Sequence, residues 1–303
     1  MRQGRGKGSR KETWAVLSIL LVVILTRGKG WTQMLPTFGG ETRSIEKTVA
    51  EGEMKVTFLD VGQGDCTIIQ TKDRAMMIDA GNNDQGEKVV DTLYRLGVEK
   101  LDYLILTHPD ADHIGGADHV LRQIPTEQVV MPDVVNDTMT YYEVEELIRE
   151  KEIPVTHPEV GKTYLLQDAA FTILCPAQTE EEDLNASSVG VKLVHGDVSF
   201  VMCGDADTES EERMVKTFGE ALQCDVLKCG HHGSSTSTSD AFLKKTDPAW
   251  AVISCGADNP YGHPHWEVLE KLEREDIQIY RTDQLGTLTA VSDGRNIHWE
   301  TAR

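Results

Sequence analysis

The stretch Thr107-His108-Pro109-Asp110-Ala111-Asp112-His113-Ile114-Gly115-Gly116 constrains this chain more than any other. It places His108, Asp110, Asp112 and His113, all able to bind a metal, within six positions. They follow the apolar run Tyr103-Leu104-Ile105-Leu106, which reads as a buried strand. A loop leaving a strand end can aim His108 and Asp110 to one side and Asp112 and His113 to the other. Neutral imidazole with carboxylate suits a divalent ion, and two such pairs suit two ions side by side. Asp and Pro also make turns without chemistry. Two His and two Asp at alternating spacing after a buried strand argue against that reading. Gly115 and Gly116 let the chain turn close to this loop before a helix begins.

A chain of 303 residues can hold one large α/β domain or two small ones around a sizeable core. Its formal net charge of −20 gives no sign of a general nucleic-acid-coating protein. A polyanion can still bind where metal ions and a local basic rim supply the attraction. The cysteines, Cys66, Cys175, Cys203, Cys224, Cys229 and Cys255, form no Cys-x-x-Cys pair and read as small buried apolar residues. At the N-terminus Arg2, Arg5, Lys7, Arg10 and Lys11 precede an apolar segment from Trp14 to Leu25. Residues 1–26 therefore read as a secretory signal peptide or an uncleaved membrane anchor. Residues 27–53 read as a linker, and residues 54–303 as the working domain, extracellular or membrane-anchored and facing outside.

Alternation predicts a strand over residues 54–59, a tight glycine turn follows it, and strands are expected to return at 66–70 and, as a buried run ending in Asp79-x-Gly81, at 75–81. Val89, Val90, Leu93 and Leu96 at helical spacing predict a helix over 86–96. Further helices are expected over 117–123, 141–152, 209–218 and 264–275, the last with Pro264 in its first turn. Strands are expected at 129–131, 171–174, 189–195, 198–202, 225–229, 250–254, 278–283, 286–291 and 296–300. Glu143, Glu145 and Glu146 read as a solvated helix face. Asp65 either faces the site or caps its turn, and Ser234 and Ser235 either bond a phosphate or cap the next helix. His263, in a loop fixed by Gly262 and Pro264, can protonate a leaving oxygen or hold a phosphate; its bland alternative is a helix-start residue.

His-x-Asp-x-Asp-His resembles the metal signature of the metallo-β-lactamase superfamily, whose commoner form is His-x-His-x-Asp-His. The Asp110 variant resembles one branch, the hydrolase domain of ComEC-type competence (DNA-uptake) proteins. Asp60-Val61-Gly62-Gln63-Gly64-Asp65, Asn185 with Ser188, Asn259-Pro260-Tyr261-Gly262-His263 and Thr282-Asp283-x-x-Gly286-Thr287 extend the likeness over residues 54–298, and paired His231 and His232 at a strand end, followed by Gly233 and hydroxyls, signal a ligand or phosphate-contact loop by themselves. It implies an α/β fold of the metallo-β-lactamase-type αββα sandwich, with metals at one edge.

The resemblance also implies a ligand set. His108 and Asp110 would hold one ion, Asp112, His113 and His231 the other, with Asp205 bridging. His231 is preferred to His232, which would then contact substrate or act as an acid. Asp79 and Asp65 would support the ligands from behind; Ser234, Ser235, Asn185, Tyr261 and Arg281 would meet substrate. The cofactors would be two divalent ions, Zn²⁺ or Mn²⁺, since Asp110 in place of a second His hardens its site. The implied activity is an exported phosphodiesterase or nuclease acting on DNA through a metal-activated hydroxide. The alternatives are hydrolysis of a small ester, lactone or phosphodiester, or a non-catalytic DNA-uptake subunit. ComEC-type transporters also carry a multi-helix membrane channel, so uptake here would need a separate channel partner.

Overall fold

The computed structural model describes residues 49–176 and 183–303, which belong to a compact unit, Arg43–Arg303. The expected signal or anchor and most of the linker lie outside the described residues. Among the described residues no helix is long and apolar enough to cross a membrane. Val49, near the end of the expected linker, is buried, while Ala50, Glu51 and Gly52 after it are exposed.

One mixed sheet holds β1 (Met54–Phe58), β2 (Thr67–Gln70), β3 (Ala75–Ile78), β4 (Tyr103–Ile105), β5 (Val129–Val130) and β6 (Val155–Thr156). A second holds β7 (Thr163–Leu166), β8 (Ala169–Cys175), β9 (Gly190–His195), β10 (Val198–Met202), β11 (Val226–Lys228), β12 (Trp250–Ile253) and β13 (Gln278–Arg281). The chain then returns to the first sheet as β14 (Leu288–Ser292) and β15 (Ile297–Thr301), in the order β15-β14-β1-β2-β3-β4-β5-β6. Helices α1 (Gly86–Arg95), α2 (Ala111–Ile114), α3 (Ala117–Gln123) and α4 (Met139–Glu150) follow strands of the first sheet. Helices α5 (Thr208–Phe218), α6 (Asp240–Thr246), α7 (Trp266–Arg274) and α8 (Thr282–Leu285) follow strands of the second.

Alternation along each strand divides its side chains between two layers. Met54, Val56 and Phe58 of β1 meet Phe171, Val191 and Phe200 from the other sheet in the central layer. Ile68, Met77 and Leu104 face outward onto Val89, Leu93, Val120 and Val144 of the helices. Val201, Leu227 and Ala251 do the same toward Met214, Phe242 and Val268. Each fully buried large side chain contributes about 1.5–3 kcal/mol, so three apolar layers hold the two sheets in one αββα sandwich.

Several expectations change in detail. The β1–β2 connection is a six-residue loop, not a tight turn: Leu59 N–H donates to Cys66 O and residues 60–65 lie beyond. β6 and β7 escape the pattern because they are short and half-exposed at sheet edges. Ser239, not Ser234 or Ser235, caps α6 by accepting from Phe242 N–H. α7 begins at Trp266 with His265 as its cap, so Pro264 stands before the helix instead of in its first turn.

β3, β4 and β5 run parallel, as do β10, β11, β12 and β13. Parallel strands deliver their carboxyl ends to one edge, where loops from both sheets converge.

Candidate metal centre

Five of those loops bring the expected chemistry together. Asp79 ends β3 in a left-handed conformation (φ 57°), which Asp tolerates better than most residues. Three donors converge on its buried carboxylate. Thr107 N–H donates to Oδ1 at 2.8 Å, Thr107 O–H donates to Oδ2 at 2.7 Å, and His113 Nδ1 lies 2.8 Å from Oδ2. Asp79 therefore fixes both the start of the loop after β4 and the ring of a histidine within it.

The histidines share one arrangement. His113, with Nδ1 on Asp79, points Nε2 at Asp205 Oδ1, 3.2 Å away. His232 Nδ1 sits 3.0 Å from Ser254 O, and its Nε2 lies 3.2 Å from Asp112 Oδ2 and 3.7 Å from Asp205 Oδ2. His108 Nδ1 is 3.3 Å from the Ser188 hydroxyl, which also accepts from Asp205 N–H, and its Nε2 is 3.6 Å from Asp110 Oδ2. In each ring one nitrogen is occupied from behind while the other faces the carboxylates. Metal-binding imidazoles are commonly oriented in this way.

Among the described residues His108 Nε2, His113 Nε2 and Asp205 Oδ1 are buried and make no well-aligned hydrogen bond, the last two facing each other at 3.2 Å. Buried polar atoms left unpaired are costly, and a cation would satisfy all three. His108, His113 and Asp205 offer ligand atoms within 4.8 Å of one another, as do Asp112, His113 and His232. These residues fit divalent metal.

The electrostatics agree. Burial alone would strip the proton from His113 and His232. The carboxylates overcome it, with Asp205 foremost at both rings, holding His113 well above the ordinary range and pushing His232 up to about 10. Burial works against the Asp205 carboxylate, yet His113 and His232 hold its pKa well below the usual range. The cluster is a cation-seeking field.

Two residues of the expected ligand set lie toward the open side of the cluster. His231, the expected ligand, is partly exposed, with Nδ1 3.1 Å from Thr236 Oγ1 and Nε2 3.5 Å from Asp205 Oδ2. The geometry favours His232, buried inside the cluster, and leaves His231 on the open side. Both occupy left-handed conformations, φ 48° and 54°, which splay the two adjacent rings apart. Asp110 stands at the rim with its side chain 38% exposed, held by Asn136 Nδ2, which donates to Oδ1 at 3.3 Å.

The expected substrate contacts divide likewise. Ser234 is buried and bonded to Thr236, while exposed Ser235 hydrogen-bonds His265. Asn185 lies in a short helical turn before Ser188, which touches the centre in its place. Arg281 is committed to both oxygens of Asp283. Tyr261 is 63% exposed and stacks on His263 with centroids 5.6 Å apart. Burial, reinforced by His232 and His231, pushes His263 down to about 4, so at neutral pH it offers a neutral imidazole. That counts against a positively charged proton donor at this position.

Asp65 does reach the centre, with Oδ1 3.4 Å from His232 Nδ1. It pairs with buried Lys228, which motif reading passed over. A lysine in the apolar strand Val226-Leu227-Lys228-Cys229 was the available signal.

Gly115 shows why the loop carries glycine. A Cβ there would lie 2.3 Å from Ala111 O and Asn83 N, both backbone atoms. Gly115→Ala is expected to cost about 1–3 kcal/mol through overpacking, visible as a fall of several degrees in Tm. An unchanged melting curve would show that the approach can relax.

Residues 59–257 match the family described as the Metallo-beta-lactamase superfamily. The chain belongs to that superfamily. Within it, the chain is 33% identical over 257 residues to ComE operon protein 3 of Bacillus subtilis, covering 79% of this chain and 33% of that one. It is 32% identical over 274 residues to Competence protein ComA of Neisseria gonorrhoeae, covering 88% of this chain and 37% of that one. It thus resembles the ComEC-type competence proteins, and spans about a third of the length of these relatives. Among solved structures it is similar to CmlA, a diiron beta-hydroxylase from Streptomyces venezuelae. That match has a TM-score of 0.51 and 13% identity, covering 80% of this chain and 54% of that one, and it speaks to the fold alone.

Proposed function

We propose that this domain is a dinuclear metal-dependent phosphodiesterase acting on DNA. The observation that carries the reading is the convergence of His108 Nε2, His113 Nε2 and Asp205 Oδ1, buried and without aligned hydrogen bonds, at the sandwich edge. His108, Asp110, Asp112, His113, Asp205 and His232 would hold the ions. Zn²⁺ or Mn²⁺ bound there would supply Lewis acidity and neutralise phosphate charge during hydrolysis.

The chain's own groups do the positioning. Asp79, Ser188 and Ser254 fix the ligand rings, and a neutral His263 can donate one hydrogen bond to a phosphate or leaving oxygen. The exposed Tyr261 ring gives a nucleobase a surface to stack on. The competence relatives support DNA over a small ester or lactone. A role in uptake would need a channel partner, and export rests on the basic-then-apolar pattern of residues 2–25 alone, which fractionation of cells making the full chain would test.

The test is cleavage of single- and double-stranded DNA by the metal-stripped protein, then with Mn²⁺ or Zn²⁺ restored. Cleavage that appears only with metal is expected. Metal bound without cleavage of either DNA, but with turnover of a small phosphodiester or ester, would transfer the activity to that substrate class.

A further inference from the structure

We propose that Lys228 is a resident cation of the metal centre: its ammonium occupies the corner at Asp65 and so holds the cluster to two divalent ions. This rests on the metal-centre reading and extends it to a residue behind the ligands.

Strand alternation sets the direction of the side chain. Val226 lies in the layer between the sheets and Leu227 in the outer layer, so Lys228, the last residue of β11, points inward again. It emerges at the sandwich edge, 4% exposed, and pairs with Asp65, itself 2% exposed. The two side chains form an ion pair closed off from solvent inside the sandwich. Asp65 is fixed by its backbone: its N–H donates to Asp112 O at 3.0 Å, and its carbonyl accepts from Gly81 N–H at 2.7 Å. Gly64, just before it, comes so near that a Cβ would lie 2.5 Å from Asp112 O.

Asp65 lies close behind the ligands: its carboxylate falls within 4.8 Å of ligand atoms from Asp205 and His232, and again of Asp79 and His113. It meets the rings at His232 Nδ1, 3.4 Å away, and His113 Nδ1, 4.0 Å away, the nitrogens held by Ser254 and Asp79, so it adds negative charge at the back of the cluster. Lys228 places a fixed positive charge against it. The carboxylates of Asp65, Asp79, Asp110, Asp112 and Asp205, taken as ionised and offset by one ammonium, leave a formal charge of −4. Two divalent ions balance that charge. A buried centre far from neutrality would be penalised heavily.

The test is Mn²⁺ binding to the full chain, by calorimetric titration and by metal content after desalting. Wild type is expected to take two equivalents. Asp65→Asn leaves the ammonium without its partner beside the ions, and should lose one equivalent or bind at least about tenfold more weakly. Adding Lys228→Met to that variant removes the excess charge, and should restore two equivalents with near wild-type affinity. Lys228→Met alone frees Asp65, and should bind Mn²⁺ at least about tenfold more tightly or take up a further equivalent. If Lys228→Met alone does not fold, the comparison of Asp65→Asn with the double variant still decides. Wild type binding two ions, with those two variants binding identically, would overturn the role of Lys228 and leave the metal centre standing. Wild type binding no Mn²⁺ or Zn²⁺ would overturn both.

Discussion

Asp205→Ala is expected to bind Mn²⁺ or Zn²⁺ at least about a hundredfold more weakly than wild type and to lose metal-dependent hydrolysis with it. Removing groups that merely orient metal ligands already costs about 10–100-fold. Asp205 lies nearer the centre, within 3.2 Å of His113 Nε2, 3.5 Å of His231 Nε2 and 3.7 Å of His232 Nε2. Thermal unfolding reads the same loss without a substrate. At a metal concentration a hundred times the wild-type Kd, binding stabilises the fold by about 2.7 kcal/mol, and a hundredfold weaker site gains only about 0.4 kcal/mol. A metal-dependent rise in Tm that survives in Asp205→Ala would remove this residue from the ligand set.

Asp79→Asn should have the next largest effect, although Asp79 is assigned no ligand role. Three donors, two from Thr107 and one from His113, converge on its two oxygens. An amide keeps one oxygen and brings its own N–H groups, so at least one donor is left facing another. The Thr107 backbone N–H cannot turn away, so the amide oxygen stays at the Oδ1 place and its nitrogen faces His113 Nδ1, and the ring loses the acceptor that points its Nε2 into the centre. Metal affinity should fall about 10–100-fold while the backbone persists, because Asn also accepts the left-handed conformation at this position. Asp79→Ala would add about 1–2 kcal/mol of backbone strain, so a larger drop in Tm is expected for Ala than for Asn. Equal metal affinity in wild type and Asp79→Asn would show that the His113 orientation is set elsewhere.

Much of this centre was legible in the chain itself. His108, Asp110, Asp112 and His113 are neighbours in sequence, and a buried strand before them fixes where they emerge. Asp79, Asp205 and the His231-His232 pair likewise stand at the ends of apolar runs. Strand ends are readable because side-chain alternation and hydrophobicity are local properties. Periodicity by itself gave only an α/β chain; the αββα architecture followed from the resemblance to the metallo-β-lactamase superfamily, and the packing of three apolar layers agrees with it.

What the sequence could not decide depended on distances between residues far apart along it. His231 and His232 are identical in type and adjacent, so only the two left-handed backbone conformations and the position of Ser254 separate the buried ring from the open one. Arg281 reads as a free phosphate contact until Asp283 closes on both its donors. Lys228 reads as an oddity within a strand until Asp65, from the opposite sheet's first loop, meets its ammonium inside the sandwich. Local pattern determined which groups arrive at the edge. Packing of one sheet on the other decided which of them face each other, because Coulomb and hydrogen-bond energies depend on separation in space, not along the chain.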